Sequence, residues 1–168
     1  MLATAISARV DIYSLSQVTE EEAEDEMTPQ LSPSQQIFKF NDVVSAVHFR
    51  TDGNLLLAGE TSGRIQLFEL KNKFALRTYT EHANRINCFD FAPNSRHFIS
   101  CANETAIKVW DIQNTSTEAD LSILAAHADN IKRVSYLDEQ RILSASSDST
   151  VKLWDLRNTA KPVSSLKM

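Results

Sequence analysis

The sequence predicts an all-β fold made of repeated four-stranded sheets, and two observations carry that prediction. First, three short segments each open with a β-branched residue, close five positions later on an aromatic residue, and precede a turn. They are residues 44–49, 86–91 and 131–136. Second, aromatic residues recur two strands later at Phe68, Trp110 and Trp154, spaced by 42 and 44 residues. Short alternating strands with a period in the low forties are typical of four-stranded repeats.

Each repeat supplies its further strands in the same order. The second strands are residues 55–58, 97–100 and 141–144, and the third strands are residues 65–69, 107–111 and 151–155. We therefore predict three consecutive repeats over residues 37–168. Residues 3–13 align with residues 58–68, so residues 1–16 are predicted to be the end of a preceding repeat.

Recurring side chains at fixed points of the repeat resemble those of the WD-repeat family. They are the dipeptides Trp110-Asp111 and Trp154-Asp155, and the histidines His82 and His127, which lie 45 residues apart. The resemblance covers about residues 41–155 and implies a partial β-propeller, with about three to four blades in this chain. Because propellers typically have 4–8 blades, we expect the chain to be a fragment of a longer protein.

In this family a buried network links the histidine, a strand serine or threonine, a turn aspartate and the tryptophan. The resemblance implies that His127, Ser146, Asp148 and Trp154 form this network in the last repeat. An indole N–H and an imidazole each need a partner when buried, so a satisfied network would fix the geometry of the blade.

The other repeats depart from the family pattern. The second repeat keeps His82 and Trp110 but has Glu104 in place of the turn aspartate. The first repeat is degenerate, with Ser62 at that turn and Phe68 in place of tryptophan. We expect these departures to weaken individual blades without changing the fold.

Residues 17–36 form an insert of different composition. Six acidic residues fall within residues 20–26, and the remaining acidic residues nearly balance the 17 Lys and Arg residues of a chain whose net charge is -5. The insert lacks aromatic residues and is rich in Pro and Ser, so we predict a disordered loop that joins two blades. The alternative is a regulatory segment that binds a basic partner, with Thr19, Thr28 and Ser32 as candidate phosphorylation sites.

No pattern in the sequence indicates an enzyme, a cofactor, a metal site or a small-molecule substrate, and we predict none of these. Its three glycines form no phosphate-binding loop. His48 and His97 have no metal-ligand spacing to a Cys or another His. Residues 144–148 lack the flanking glycines of a nucleophile elbow. Asp111 and Asp155 recur at equivalent points of separate repeats, so we interpret both as structural.

Basic residues give a weak indication of nucleic-acid binding. Lys71, Lys73 and Arg77 flank one connection between strands, and Lys132 and Arg133 lie in a first strand. A basic rim could contact phosphate, but scattered lysines more often serve solubility. The sequence shows no interleaving of aromatic and basic residues that would favour RNA recognition.

The cellular location follows from what the chain lacks. Cys88 and Cys101 are too few for a disulfide framework and are interpreted as reduced strand residues. No apolar run approaches the roughly 18 residues that span a bilayer, and residues 1–8 make a poor signal peptide. These features predict a cytosolic or nuclear protein without a membrane partner.

The detailed amino-acid sequence of the repeats resembles one branch of the WD-repeat family more closely. The matching segments are residues 8–13, 41–68, 76–82, 88–93 and 107–112. They are similar to the early propeller of the U-three small nucleolar RNA-associated proteins of the UTP fifteen type. This resemblance implies a nucleolar scaffold of the small-subunit processome. Its partners would be other WD-repeat processome proteins, with weaker or indirect contact to the U-three ribonucleoprotein and pre-rRNA.

Two alternatives stay open at this point. The chain could be a generic WD-repeat adaptor or a ubiquitin-ligase substrate receptor, located in the cytoplasm. Asp155-Leu156-Arg157 loosely fits the Asp-x-Arg ending of such receptors, although it is also an ordinary blade ending. The chain could also be the regulatory propeller of an enzyme whose catalytic region lies elsewhere.

Overall fold

The structure is a computed structural model that describes residues 1–14 and 32–168, and the secondary structure in these ranges is β. The first sheet contains β1 (Leu2–Ile6), β2 (Arg9–Tyr13) and β3 (Gln35–Ile37). The second contains β4 (Val44–Phe49), β5 (Leu55–Glu60), β6 (Ile65–Glu69) and β7 (Phe74–Tyr79). The third contains β8 (Ile86–Phe91), β9 (His97–Ala102), β10 (Ile107–Asp111) and β11 (Leu121–Ile123). The fourth contains β12 (Ile131–Tyr136), β13 (Arg141–Ser146), β14 (Thr150–Asp155) and β15 (Ser164–Lys167).

Within each sheet the strands pair antiparallel in chain order, so each sheet is one meandering blade. This confirms the all-β prediction. Among the described residues, no helix is long and apolar enough to cross a membrane.

The predicted position of the acidic insert needs correction. The insert was expected over residues 17–36 between two blades, but β3 pairs with β2 through Val10 and Ile37, and Ile37 is buried. The connection from β2 to β3 therefore lies within the first sheet, and residues 35–37 are its outer strand. This strand was not predicted, because a single apolar residue after two glutamines is too short a pattern to indicate a strand. The other insert residues, 17–31, lie outside the described ranges.

The core consists of three apolar clusters, one between each pair of consecutive sheets. Val10 and Leu56 belong to the first cluster, Leu57 and Phe98 to the second, and Ile131 to the third. The two middle sheets are therefore covered on both faces. This explains why all six residues of β5 are buried and why that strand has no polar alternation.

A bulge recurs in the innermost strand of every four-stranded sheet. The register shifts between the first and third residues of β4, β8 and β12. The extra residue in two of them reaches the next sheet: Ser45 donates to the carbonyl of Ile86 at 2.8 Å, and Asn87 donates to that of Ile131 at 2.7 Å. Bulges of this kind redirect a side chain out of the ladder, and here they connect neighbouring blades.

Candidate functional site

The last blade contains a closed hydrogen-bonded network. His127 Nε2 lies 2.7 Å from the Ser144 hydroxyl, and the Trp154 indole donates to the same hydroxyl at 2.9 Å. His127 Nδ1 lies 2.9 Å from Asp148 Oδ2. Because the serine accepts from the indole, its own proton is free for Nε2, which leaves the histidine proton on Nδ1 facing Asp148.

Burial favours the neutral form of this histidine. Desolvation lowers the pKa of His127, and the opposing effect of the hydrogen bond that His127 donates to Asp148 does not fully offset it. The pKa of Asp148 is lowered, because hydrogen bonds from Thr150, the backbone of Ala128 and His127 together outweigh the effect of burial. At neutral pH the network therefore pairs a neutral imidazole with a carboxylate.

The predicted role of Ser146 is wrong, because Ser144 holds the place between histidine and tryptophan. Side chains at these two positions share one face of β13, so strand alternation alone could not separate them. Ser146 lies at the end of the strand and donates to the carbonyls of Asp129 and Asn130 at 2.9 and 3.0 Å. Its oxygen also accepts from the backbone N–H of Asp148 at 3.1 Å, so Ser146 holds the turn that carries the aspartate and is hydrogen-bonded to neither the histidine nor the indole.

The third sheet repeats the network with a longer acid. His82 Nε2 lies 2.6 Å from the Ser100 hydroxyl, which also accepts from Trp110 at 2.8 Å. Glu104 Oε1 takes the place of the aspartate, 2.5 Å from His82 Nδ1. Burial by itself would raise the pKa of Glu104. The hydrogen bond with His82 is the largest of the contacts that oppose burial, and together they lower this pKa. The substitution that was expected to weaken this blade preserves the arrangement.

The second sheet replaces the network with apolar packing. Phe40 lies four residues before the first strand residue, as the two histidines do, and its ring meets Phe68 edge to face at 5.4 Å. Ala58 occupies the serine position, and all three residues are buried in one cluster. The common four-residue offset from Val44 was available in the sequence and would have identified Phe40.

Asp111 and Asp155 lie at the other edge of the blades and bind arginines. Asp111 accepts from Arg96 at 2.8 and 3.1 Å. Arg157 pairs with Asp155 at 2.5 Å and is the main cause of the lowered pKa of that carboxyl, about 2. The guanidinium of the Asp-x-Arg segment is thus held by its own aspartate, a bond that stabilises the turn.

One group of side chains has the residue types of a metal site. Ligand atoms of His97, Asp111 and Asp120 lie within 4.8 Å of one another. The sequence did not predict this grouping, since the three residues belong to separate strands and loops. Arg96 already pairs with Asp111 there, so one of the three candidate ligands is engaged by a guanidinium.

A second polar group spans three innermost strands without forming a nucleophile and base pair. Asp90 accepts from the hydroxyl of Ser135 at 2.9 Å and from the backbone N–H of Tyr136 at 2.7 Å. His48 Nε2 lies 3.5 Å from the other oxygen of Asp90. Nucleophilic catalysis needs a histidine that is hydrogen-bonded to the serine. Here the serine and the histidine each bind the aspartate and do not bind each other. Asp90 instead connects the blades before and after its own.

An exposed aromatic and basic surface lies where the first and second sheets meet, and we call it the aromatic rim patch: Arg9, Phe38, Lys39, Lys73 and Phe74. Each phenylalanine is 61% exposed. The Arg9 guanidinium lies 5.8 Å from the Phe38 ring centre, and Lys39 Nζ lies 5.2 Å from that of Phe74. Lys39 also approaches the carbonyl of Lys73 at 3.5 Å. Its residues come from three separate segments of the chain, so no local pattern in the sequence indicates this patch.

The remaining predicted positions are dispersed. Lys71, Lys132 and Arg133 are exposed, whereas Arg77 donates to the carbonyl of Ile112 at 2.5 Å and so bridges two blades. The candidate phosphorylation site Ser32 is exposed. Thr19 and Thr28 lie outside the described residues.

Comparison with known proteins agrees with this geometry. The WD domain, G-beta repeat family matches residues 74–111 and 119–155. A chain in the crystal structure of the mitotic checkpoint complex superposes with a TM-score of 0.76, over 98% of this chain and 47% of that one, at 19% identity. At that identity the likeness concerns the fold.

Several curated proteins are similar in sequence. U3 small nucleolar RNA-associated protein 15 of Schizosaccharomyces pombe is 31% identical over 64% of this chain and 21% of its own length. Protein SLOW WALKER 1 of Arabidopsis thaliana is 32% identical over 78% of this chain and 22% of its own. The protein 15 homologue of Xenopus tropicalis is 30% identical over 60% and 19%. The chain spans about a fifth of the length of these relatives. The matched repeats and the fold together show that the chain contains WD repeats and folds as part of a β-propeller.

Proposed function

We propose that this chain is a non-catalytic scaffold of ribosome biogenesis that supports 18S rRNA processing within the small-subunit processome. The observation that carries the proposal is the similarity to U3 small nucleolar RNA-associated protein 15 from a yeast and to its frog homologue. The described polar groups of the blades serve structure and offer no catalytic arrangement. The proposed location is the nucleolus.

The partners in this proposal are other WD-repeat processome proteins, with pre-rRNA and the U-three ribonucleoprotein contacted weakly or indirectly. The aromatic rim patch is the surface we assign to a protein partner. Exposed Phe38 and Phe74 offer apolar area, and Lys39 and Lys73 give it a positive edge. Aromatic residues at the centre of a contact supply much of the binding free energy.

The test is co-precipitation of the tagged chain from its own cells, with the pellet probed for the U-three RNA and the 5′ spacer of pre-rRNA. We expect both RNAs and at least one WD-repeat processome protein to be enriched. A well-expressed chain that enriches neither RNA would contradict the proposed role.

Matched variants separate the surface from the role. The double variant Phe38→Ala, Phe74→Ala should bind the protein partner at least about tenfold more weakly, since hot-spot truncations cost about 2 kcal/mol or more of binding free energy. The control Leu137→Ala, Leu166→Ala removes comparably exposed apolar side chains elsewhere and should retain it. Equal retention by both variants would exclude the aromatic rim patch as the docking surface.

A further inference from the structure

The two cysteines of the chain face each other across adjacent strands of the third sheet. Cys88 in β8 and Cys101 in β9 are direct partners in the antiparallel register. Opposed residues in such a pair have Cα atoms about 4.5 or 5.5 Å apart. Both values lie within the range of about 4.4–6.8 Å over which a disulfide forms. The register therefore sets these two residues opposite each other, as a cross-strand disulfide requires.

Both side chains point to the same neighbour. Cys101 is fully buried in the cluster between the third and fourth sheets, and Cys88 packs against that cluster. The Cys88 sulfur lies 3.6 Å from the carbonyl oxygen of Val134 in β12. Register and packing thus place both sulfur atoms on the face of the blade that meets the fourth sheet.

The two thiols differ in accessibility. Cys88 is half-buried, on the innermost strand, whereas Cys101 is closed off from solvent. Burial raises the pKa of the Cys101 thiol, and the nearby Cys88 raises it further. Since the thiolate is the reactive form, an oxidant meets Cys88 first, and Cys101 stays protonated until its partner has reacted.

We propose that Cys88 and Cys101 are an oxidation site that closes to a reversible cross-strand disulfide in the presence of hydrogen peroxide. The Cys88 thiolate attacks one peroxide oxygen, so that an S–O bond forms, the O–O bond breaks and hydroxide leaves. Cys101 then attacks the Cys88 sulfur, so that the S–S bond forms and the S–O bond breaks. The leaving hydroxide takes the Cys101 proton as water. The two sulfurs lose two electrons and the peroxide is reduced.

The disulfide would tie the innermost strand of the third sheet to the strand that carries Ser100. Ser100 precedes Cys101 and holds both His82 and Trp110. The bond therefore links the bulged strand at the centre of the blade to the buried network. This inference concerns the chain itself and does not depend on the proposed role in ribosome biogenesis.

The test uses the reduced chain, exposed to hydrogen peroxide, quenched with iodoacetamide and cleaved with trypsin without reductant. Cleavage after Arg85, Arg96 and Lys108 puts the cysteines on separate peptides, residues 86–96 and 97–108. We expect one species in which the two peptides are joined, lost on treatment with dithiothreitol. Two separately alkylated peptides, or peptides joined only between chains in a dimer, would overturn the proposal.

Two controls keep the result specific to the fold. The folded chain should form the joined species at least about tenfold faster than the urea-unfolded chain, because the strands hold the thiols together. Equal rates would mean that the fold does not supply the proximity. In Cys101→Ser, the Cys88 sulfenic acid should persist and be trapped by dimedone. In Cys88→Ser, peroxide should leave Cys101 alkylatable only after unfolding, and rapid oxidation of Cys101 there would contradict the assigned order.

Discussion

At the scale of single residues, the polar side chains of the blades act through buried hydrogen bonds. Ser144 and Ser100 each join a histidine to a tryptophan, while Phe40 and Phe68 fill the same space without any polar atom. A buried polar network and an apolar cluster are both stable, because each leaves no group without a partner. A half-satisfied network is the unfavourable case.

Ser144→Ala creates that half-satisfied case. The change leaves the Trp154 indole and His127 Nε2 buried without their shared partner, so we expect a loss of roughly 2–3 kcal/mol in the free energy of unfolding. The control Ser146→Ala removes the bonds to the carbonyls of Asp129 and Asn130 and from the backbone N–H of Asp148, and it should cost about 1 kcal/mol. Urea unfolding followed by tryptophan fluorescence measures both, and equal losses would argue against Ser144 as the central residue.

The free energy of unfolding should fall as the pH drops below the ordinary pKa of histidine. The pKa of His127 is lowered in the folded chain, so the unfolded chain binds its proton first and gains stability relative to the folded one. The stabilising contribution is present above about pH 6.5 and is lost progressively below it. We expect the pH dependence between 7 and 5 to be shallower in His127→Gln. An unchanged slope would mean that other groups carry it.

At the scale of elements, the strands are defined by close contact between neighbouring sheets. β5 is a short apolar run because both its faces are covered, and at Gly59 the next sheet comes especially near. A Cβ atom built at this glycine would lie 2.7 Å from atoms of Ile86 and Phe89. The small residue at this point therefore sets the spacing of two blades.

Gly59→Ala should accordingly be destabilising by about 1–3 kcal/mol, the range for overpacking a core. The control is Gly53→Asn, in a turn with a φ of 70° that asparagine tolerates. A Cβ atom there would meet only the end of the flexible Met1 side chain, at 2.6 Å, so this variant should have little effect. Thermal unfolding compares the two variants. A Gly59→Ala melting temperature equal to that of the control would show that the sheets separate easily.

At the scale of the whole molecule, the blades are joined in series by apolar clusters and by side chains that cross between innermost strands. Asp90 contacts His48 on one side and Ser135 and Tyr136 on the other. Repeat architectures derive their cooperativity from such nearest-neighbour contacts. We expect Asp90→Ala to broaden the urea transition and to lower the free energy of unfolding by roughly 2 kcal/mol.

Asp138→Ala is the matched control for that broadening. Asp138 pairs with Arg141 inside one turn, so its loss should shift the midpoint slightly and leave the width of the transition unchanged. Hydrogen exchange of the second and fourth sheets provides an independent measure of coupling. Unchanged exchange in Asp90→Ala would show that the clusters alone join the blades.

The sequence by itself determined the strand order, the repeat period and the WD-repeat family, because period-two alternation and the Trp-Asp endings are local patterns. It also located His82, His127, Trp110 and Trp154 at equivalent points. Only the tertiary structure decided between Ser144 and Ser146, since both share one strand face and the choice depends on distance to another strand. Likewise, the pairing of Ile37 with Val10 and the approach of Lys39 to the Phe74 ring join segments far apart in the chain. Such contacts arise from sheet packing, which no local pattern encodes.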